Sequence, residues 1–188
     1  ATNAPLSYQV PHPVSDENFK KIVAVIRLSL PYTGIILSTR ENETIRKDLF
    51  HYGISQISAG SRTNPGGYSD NSSEAQFSLG DHRSLDEVIS SLIDDGYIPS
   101  FCTGCYRKGR VGKDFMDLAK PGLIHKFCMP NGLFTFKEYL EDFASDETKS
   151  KGEKLLAKLI SEIEDAKIKE KSESVISQIS NGERDIYL

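Results

Sequence analysis

Three helical patterns alternate with three short apolar runs over residues 15–103. This alternation restricts the fold more than any other feature. The order suggests parallel strands joined by crossover helices. Ser15 is placed to cap the first helix, with Asp16 and Glu17 in its first turn, where the helix dipole favours acids. Phe19, Ile22, Val23, Ile26 and Leu30 follow at helical spacing, and Pro31 stops the run. Residues 33–38 (TGIILS) read as a first strand and 42–52 as a second helix, with Ile45 and Leu49 one turn apart and Gly53 as its end signal. Residues 54–59 (ISQISA) read as a second strand, and a polar loop runs from Gly60 to Arg83. Ser84 and Glu87 form a capping box for a third helix with the stripe Leu85, Val88, Ile89, Leu92 and Ile93. Residues 98–103 (IPSFCT) read as a third strand. Three parallel strands cannot close a barrel; they suit an edge sheet or the last part of a (β/α) barrel.

The character changes after Gly104. A basic loop (Arg107, Lys108, Arg110, Lys113) leads into a short helix around Asp114–Ala119, which Pro121-Gly122 breaks. The segment LIHKFCMPNG reads as a turn-rich piece, and Thr135 with Glu138 as a second capping box for Phe136–Phe143. Ser145 opens a long charged helix with Leu155, Leu156, Leu159, Ile160 and Ile163 on one side. From about Lys167 the chain is richly charged and is expected to pack loosely, with Ile186, Tyr187 and Leu188 docking at the end. The expected organisation is therefore α/β over 1–105 and mostly helix over 106–188.

Composition excludes several classes. A formal charge of −4 argues against nucleic-acid binding through a basic face. No run of about 18 apolar residues is present, so no membrane helix is expected. The first residues lack the basic-then-apolar pattern of a secretory signal. The 3 cysteines are an odd number, which suits a metal site or reduced thiols in the cytoplasm better than a disulfide framework.

Those cysteines are the strongest chemical signal. Cys102-x2-Cys105 sits at the C-terminal end of the third expected strand, and 22 residues separate Cys105 from Cys128. In parallel α/β folds ligands bind at the C-terminal ends of strands. Soft sulfur selects zinc, iron–sulfur or copper(I). Zinc would take a fourth donor from His125; a 4Fe–4S cluster on three cysteines would keep one iron open; a redox or structural thiol pair is the third option. The basic loop either offsets the charge of such a centre or is simply solvated. Ser38-Thr39-Arg40 follows the first strand and Ser61-Arg62-Thr63 the second. Arginines at such ends suit carboxylate capture, or they pair with surface acids such as Glu41. His51 and His82 read as surface or capping residues.

The segments LSTRE (37–41), ISAGSRTNPGGY (57–68), QFSLGDHRS (76–84), FCTGCYRKGRVGKDFMDLAKPG (101–122), IHKFCMPNGLFTFKEYLEDFAS (124–145) and NGERDIYL (181–188) together resemble the HydG family. These are the radical S-adenosylmethionine tyrosine lyases that mature FeFe-hydrogenase. The related tyrosine lyases of thiamine synthesis share the STRE and SAGS-type segments but lack the CxxC, so the cysteine set selects the HydG family.

The resemblance implies the C-terminal part of a (β/α)8 barrel followed by a mostly helical domain that holds an auxiliary cluster. In the family, a first 4Fe–4S cluster cleaves S-adenosylmethionine, and the resulting radical fragments L-tyrosine to p-cresol and dehydroglycine. Dehydroglycine then yields CO and cyanide at an auxiliary 4Fe–4S cluster with a labile extra iron. The product is an Fe(CO)2(CN) synthon with cysteine as a bound ligand, destined for other hydrogenase maturases. By match, Cys102, Cys105 and Cys128 become the auxiliary-cluster ligands and His125 becomes structural. Arg40, Arg62 and Ser61 become candidates for holding tyrosine or S-adenosylmethionine. The CxxxCxxC of the radical cluster is absent from this chain, so an N-terminal half is expected as partner. Without that half, exposed apolar surface is expected on the strands holding Leu37 and Ile57.

Overall fold

The computed structural model describes residues 9–69 and 75–188. The described residues are mostly helical, and the chain divides into two compact units, Ala1–Leu85 and Asp86–Leu188.

In the first unit, α1 (Asp16–Ser29) begins as expected, with the Asn18 N–H donating to Ser15 Oγ at 3.3 Å. Then come β1 (Ile36–Leu37), α2 (Glu43–Phe50) and β2 (Gln56–Ile57). Asn42 caps α2, its Oδ1 accepting from the Ile45 N–H at 3.0 Å. The two strands pair in parallel, Ile36 opposite Gln56 and Leu37 opposite Ile57. A small core of Val23, Leu37, Ile45, Leu49 and Ile54 joins both helices to this sheet. The expected exposed apolar surface is present on the first strand at Ile36, which is 67% exposed, while Leu37 itself is buried. Successive strand residues face opposite ways, and the Leu37 side faces α1 and α2. Further exposed apolar side chains of this unit lie on α1, where Val25 and Leu28 stand in solvent and only Val23 is buried.

The third expected strand does not form. Residues 98–103 belong to no strand among the described residues. A strand needs a ladder neighbour, and here the Phe101 N–H donates to Thr135 Oγ1 and the Cys102 N–H to Ser100 Oγ.

The second unit comprises α3 (Leu85–Asp94, nearly all of it), α4 (Gly104–Arg107), α5 (Gly112–Ala119), α6 (His125–Asp142), α7 (Asp146–Ser161) and α8 (Ala166–Ser180). The packing division precedes the expected 105/106 boundary because Ile89 and Ile93 of α3 join the core built around α6. Three sequence expectations fail inside this core. LIHKFCMPNG is helix rather than turn, since α6 runs unbroken through Pro130 and Gly132. Thr135 is therefore no cap; its hydroxyl bonds back to the Asn131 carbonyl at 3.1 Å. And α8 is well packed, with Val175 and Ile179 fully buried against α6 and α7. Helix propensity and proline signals are local, and burial of Leu133, Phe134, Phe136 and Leu140 outweighs them. The last residues dock as expected: Ile186 and Leu188 pack on this core, and the Leu188 N–H reaches Asn131 Oδ1 at 2.8 Å.

Candidate functional site

The second unit brings the three cysteines into one neighbourhood. Cys102 precedes α4, Cys105 lies within it, and Cys128 lies in the first turns of α6. All three are free thiols; Cys102 and Cys105 are half-buried and Cys128 is exposed. Gly104 is buried between them. Its N–H donates to Cys102 Sγ at 3.3 Å, and a side chain there would meet Tyr187, Asn131 and Cys102 within 3.1–3.3 Å. Burial pushes the Cys128 thiol pKa up. The charges of Cys105 and Cys102 push it the same way, and Arg110 opposes them. A bound cation would oppose this upward push on the Cys128 thiol.

The cage itself is not closed. Among the described residues no three His, Cys, Asp or Glu side chains converge tightly enough to hold one ion. His125 lines a groove of about 390 Å³ with Lys126, Met129, Leu159, Glu162 and Ile163. The basic loop is partly committed to the C-terminal segment. Arg107 pairs with Asp185 at 3.2 Å and lies over the Tyr187 ring, and Arg110 donates to the Leu188 carbonyl at 2.8 Å while stacking on Phe127.

The first unit holds the other predicted residues together. A cavity of about 340 Å³ is lined by Ser61, Arg62, Thr63, Asn64, Phe77 and His82, among others. Arg40 lies with its guanidinium 4.8 Å from the centre of the Phe77 ring. Ser61 and Arg62 therefore share a wall, and Arg40 stands behind Phe77. Neither arginine pairs with a carboxylate among the described residues, Glu41 included. Phe77 and Asn64 were not foreseen as lining residues; His82 is exposed, as its reading as a surface or capping residue expects, and borders the cavity. Their one sequence signal is the polar loop that returns from Gly60 to Arg83. His51 sits at the α2 C-terminus, as expected of a capping residue.

An unforeseen ion cluster underlies this cavity. Arg46 and Asp81 are buried and paired, and Arg83 Nη2 reaches Asp81 at 2.7 Å while Nη1 reaches Glu43 at 3.0 Å. Burial alone would raise the Asp81 pKa. Hydrogen bonds from Arg83 and the charges of Arg46 and Arg83 outweigh it and hold the carboxyl at about 2. A depressed carboxylate pKa stabilises the fold above the unfolded value of 3.8, and that stabilisation is lost as pH falls towards about 2. The first unit is therefore expected to lose about 2 kcal/mol between pH 5 and pH 2 from this residue. Hydrogen exchange of residues 58–63 across that range measures it; a flat profile contradicts it.

This architecture has known counterparts. The model of the Biotin and Thiamin Synthesis associated domain matches residues 2–98, and the chain belongs to that family. More particularly, it is similar to a solved structure of HydG, a maturase of the FeFe-hydrogenase. The TM-score is 0.91 and the identity 47%, over 99% of this chain and 40% of that one. HydG from Carboxydothermus hydrogenoformans gives a TM-score of 0.65 and 40% identity, over 88% of this chain and 34% of that one. The 2-iminoacetate synthase of Escherichia coli K12 is 36% identical over 91 residues, 47% of this chain. The chain spans 24% of the length of that relative. The family model stops at residue 98, before Cys102, whereas the first HydG likeness continues across all three cysteines. No helix among the described residues is long and apolar enough to cross a membrane.

Proposed function

We propose that the chain is the C-terminal part of a radical S-adenosylmethionine tyrosine lyase of the hydrogenase-maturing kind. In this reading it acts with an N-terminal part that carries the radical cluster. The first unit supplies the end of the barrel, and Cys102, Cys105 and Cys128 hold an auxiliary 4Fe–4S cluster. The observation that carries it is the clustering of three soft donors in the segment that lies beyond the family model yet within the HydG likeness. The donor set fits. Cluster thiolates each bind a different iron, so they stand wider apart than the four donors that crowd one zinc ion. Neighbouring but unconverged thiols suit the former.

When bound, the cluster would supply an iron with an open coordination position and an extra labile iron as cargo. The chain's own residues have separate tasks. The Gly104 N–H stabilises negative charge on Cys102, and Arg110 offsets the charge near Cys128. Arg62 and Ser61 would hold the carboxylate of tyrosine or S-adenosylmethionine through charge-assisted hydrogen bonds, with Arg40 adding positive potential from behind Phe77. Tyrosine would leave as p-cresol and dehydroglycine, and the latter as CO and cyanide in an Fe(CO)2(CN) synthon with cysteine as a ligand. The free thiols fit a reducing compartment, the cytoplasm.

Anaerobic reconstitution with iron and sulfide tests this reading. About four irons per chain, with a broad absorption near roughly 400 nm, is the expected result. His125→Ala should leave that content unchanged. A colourless protein with about one zinc, lost in His125→Ala, would replace it with a zinc-stabilised binding module.

A further inference from the structure

The cavity that holds Ser61 and Arg62 is built from segments far apart in sequence. One wall is the chain after β2 (residues 58–63), and the other is the returning segment 77–83. They are tied to each other and to the end of β1. The Gly80 and Asp81 N–H groups both donate to the Thr39 carbonyl, at 2.9 and 3.1 Å. Thr63 Oγ1 donates to the Phe77 carbonyl at 2.8 Å, and the Gly60 N–H to the Arg83 carbonyl at 3.0 Å. Gly80 lies so close to residues 40–42 that a Cβ would stand 2.5 Å from the Arg40 carbonyl oxygen.

One side chain reaches both walls from beneath. Arg46 is fully buried on α2, and its guanidinium forks, Nη1 donating to the Asp81 carboxylate and Nη2 to the Ser58 carbonyl. Those anchors stand three residues before Ser61 and one before His82. A buried ion pair is poor evidence of net stabilisation, because desolvation consumes most of the attraction. It does fix geometry, and the planar arginine fork fixes two partners at once. Arg83 shares the Asp81 carboxylate and extends the tie to Glu43, at the start of α2.

We propose that Arg46 is the positioning residue of this cavity: by holding Ser58 and Asp81 at a set separation, it presents Ser61 and Arg62 opposite Phe77 and His82. The proposal rests on the reading that the cavity takes a carboxylate-bearing substrate.

The test compares Arg46→Met and Arg46→Lys with wild type in the complete enzyme that carries this chain. Binding of tyrosine and of S-adenosylmethionine is followed by calorimetry, and amide exchange by mass spectrometry. Arg46→Met is expected to weaken binding of one of the two ligands more than tenfold. It should raise KM for that ligand while kcat at saturation changes less than threefold, and exchange should quicken at Gly60, Gly80 and Asp81. Lysine offers a point charge rather than a fork. It should keep Gly80 and Asp81 protected while Gly60 opens, a split that a merely structural role would not give. Wild-type binding and exchange in Arg46→Met would overturn the proposal, as would equal opening of both walls in Arg46→Lys. If the wild-type enzyme binds neither ligand in this cavity, the reading of the cavity falls, and the exchange split alone then decides the role of Arg46.

Discussion

Alanine at Cys102 and Cys105 together is expected to leave the reconstituted chain colourless, with almost none of the roughly four irons expected of wild type. Two of three protein ligands are then gone, and Cys128, exposed on the first turns of α6, has no other thiol to share a cluster with. The loss should not come from unfolding. Neither cysteine belongs to the buried core of the second unit, and both stand at or near the edge of the short α4. Truncating half-buried side chains outside the core is expected to cost about 1 kcal/mol. Circular dichroism should therefore match wild type, and the urea midpoint should lie close to that of cluster-free wild type, while the absorption near roughly 400 nm disappears. A double variant that keeps its iron and colour would remove these residues from the site. Cys128→Ala alone should behave alike but retain some labile iron, since the Cys102–Cys105 pair, spaced as in other cluster-binding runs, persists.

Much of this was legible in the sequence, for identifiable reasons. Helix starts were readable where a side chain caps its own helix. Ser15 and Ser145 cap α1 and α7 because their hydroxyls are the nearest acceptors for the first free N–H groups. The Cys102–Cys105 spacing and the arginines that follow the strands stand out in the sequence because each of those patterns lies within a few residues. What was missed depends on contacts distant in sequence. Residues 98–103 have strand composition, yet strand state needs a pairing partner that composition cannot specify. Pro130 and Gly132 argue locally for a turn, and only burial against α7 and α8 keeps α6 helical through them. Arg46 sits beside Ile45 in the α2 pattern and gave no signal of burial. Its partner Asp81 is 35 residues away, inside a loop that reads as merely polar.

Phe136→Ala is expected to cost the second unit about 3–5 kcal/mol, from lost transfer energy and the cavity left behind. Phe136 is fully buried on α6, the helix against which both α7 and α8 pack. For a domain with a total stability of about 5–15 kcal/mol this is a large fraction, and the urea transition should move accordingly. The contact geometry makes a sharper test available. Gly152 of α7 lies so near α6 that a Cβ would stand 3.0 Å from Phe136 Cζ and 2.6 Å from a Leu140 methyl. Gly152→Ala gains helix propensity of about 1 kcal/mol but overpacks this contact, at about 1–3 kcal/mol. In wild type the clash should win. In the Phe136→Ala background Leu140 can move into the space the ring vacated, and the same alanine then keeps its propensity gain and loses its clash. Gly152→Ala should therefore change from destabilising to neutral or stabilising between the two backgrounds. The double-mutant cycle reads that coupling directly. An additive cycle would mean that α7 does not meet α6 through these side chains.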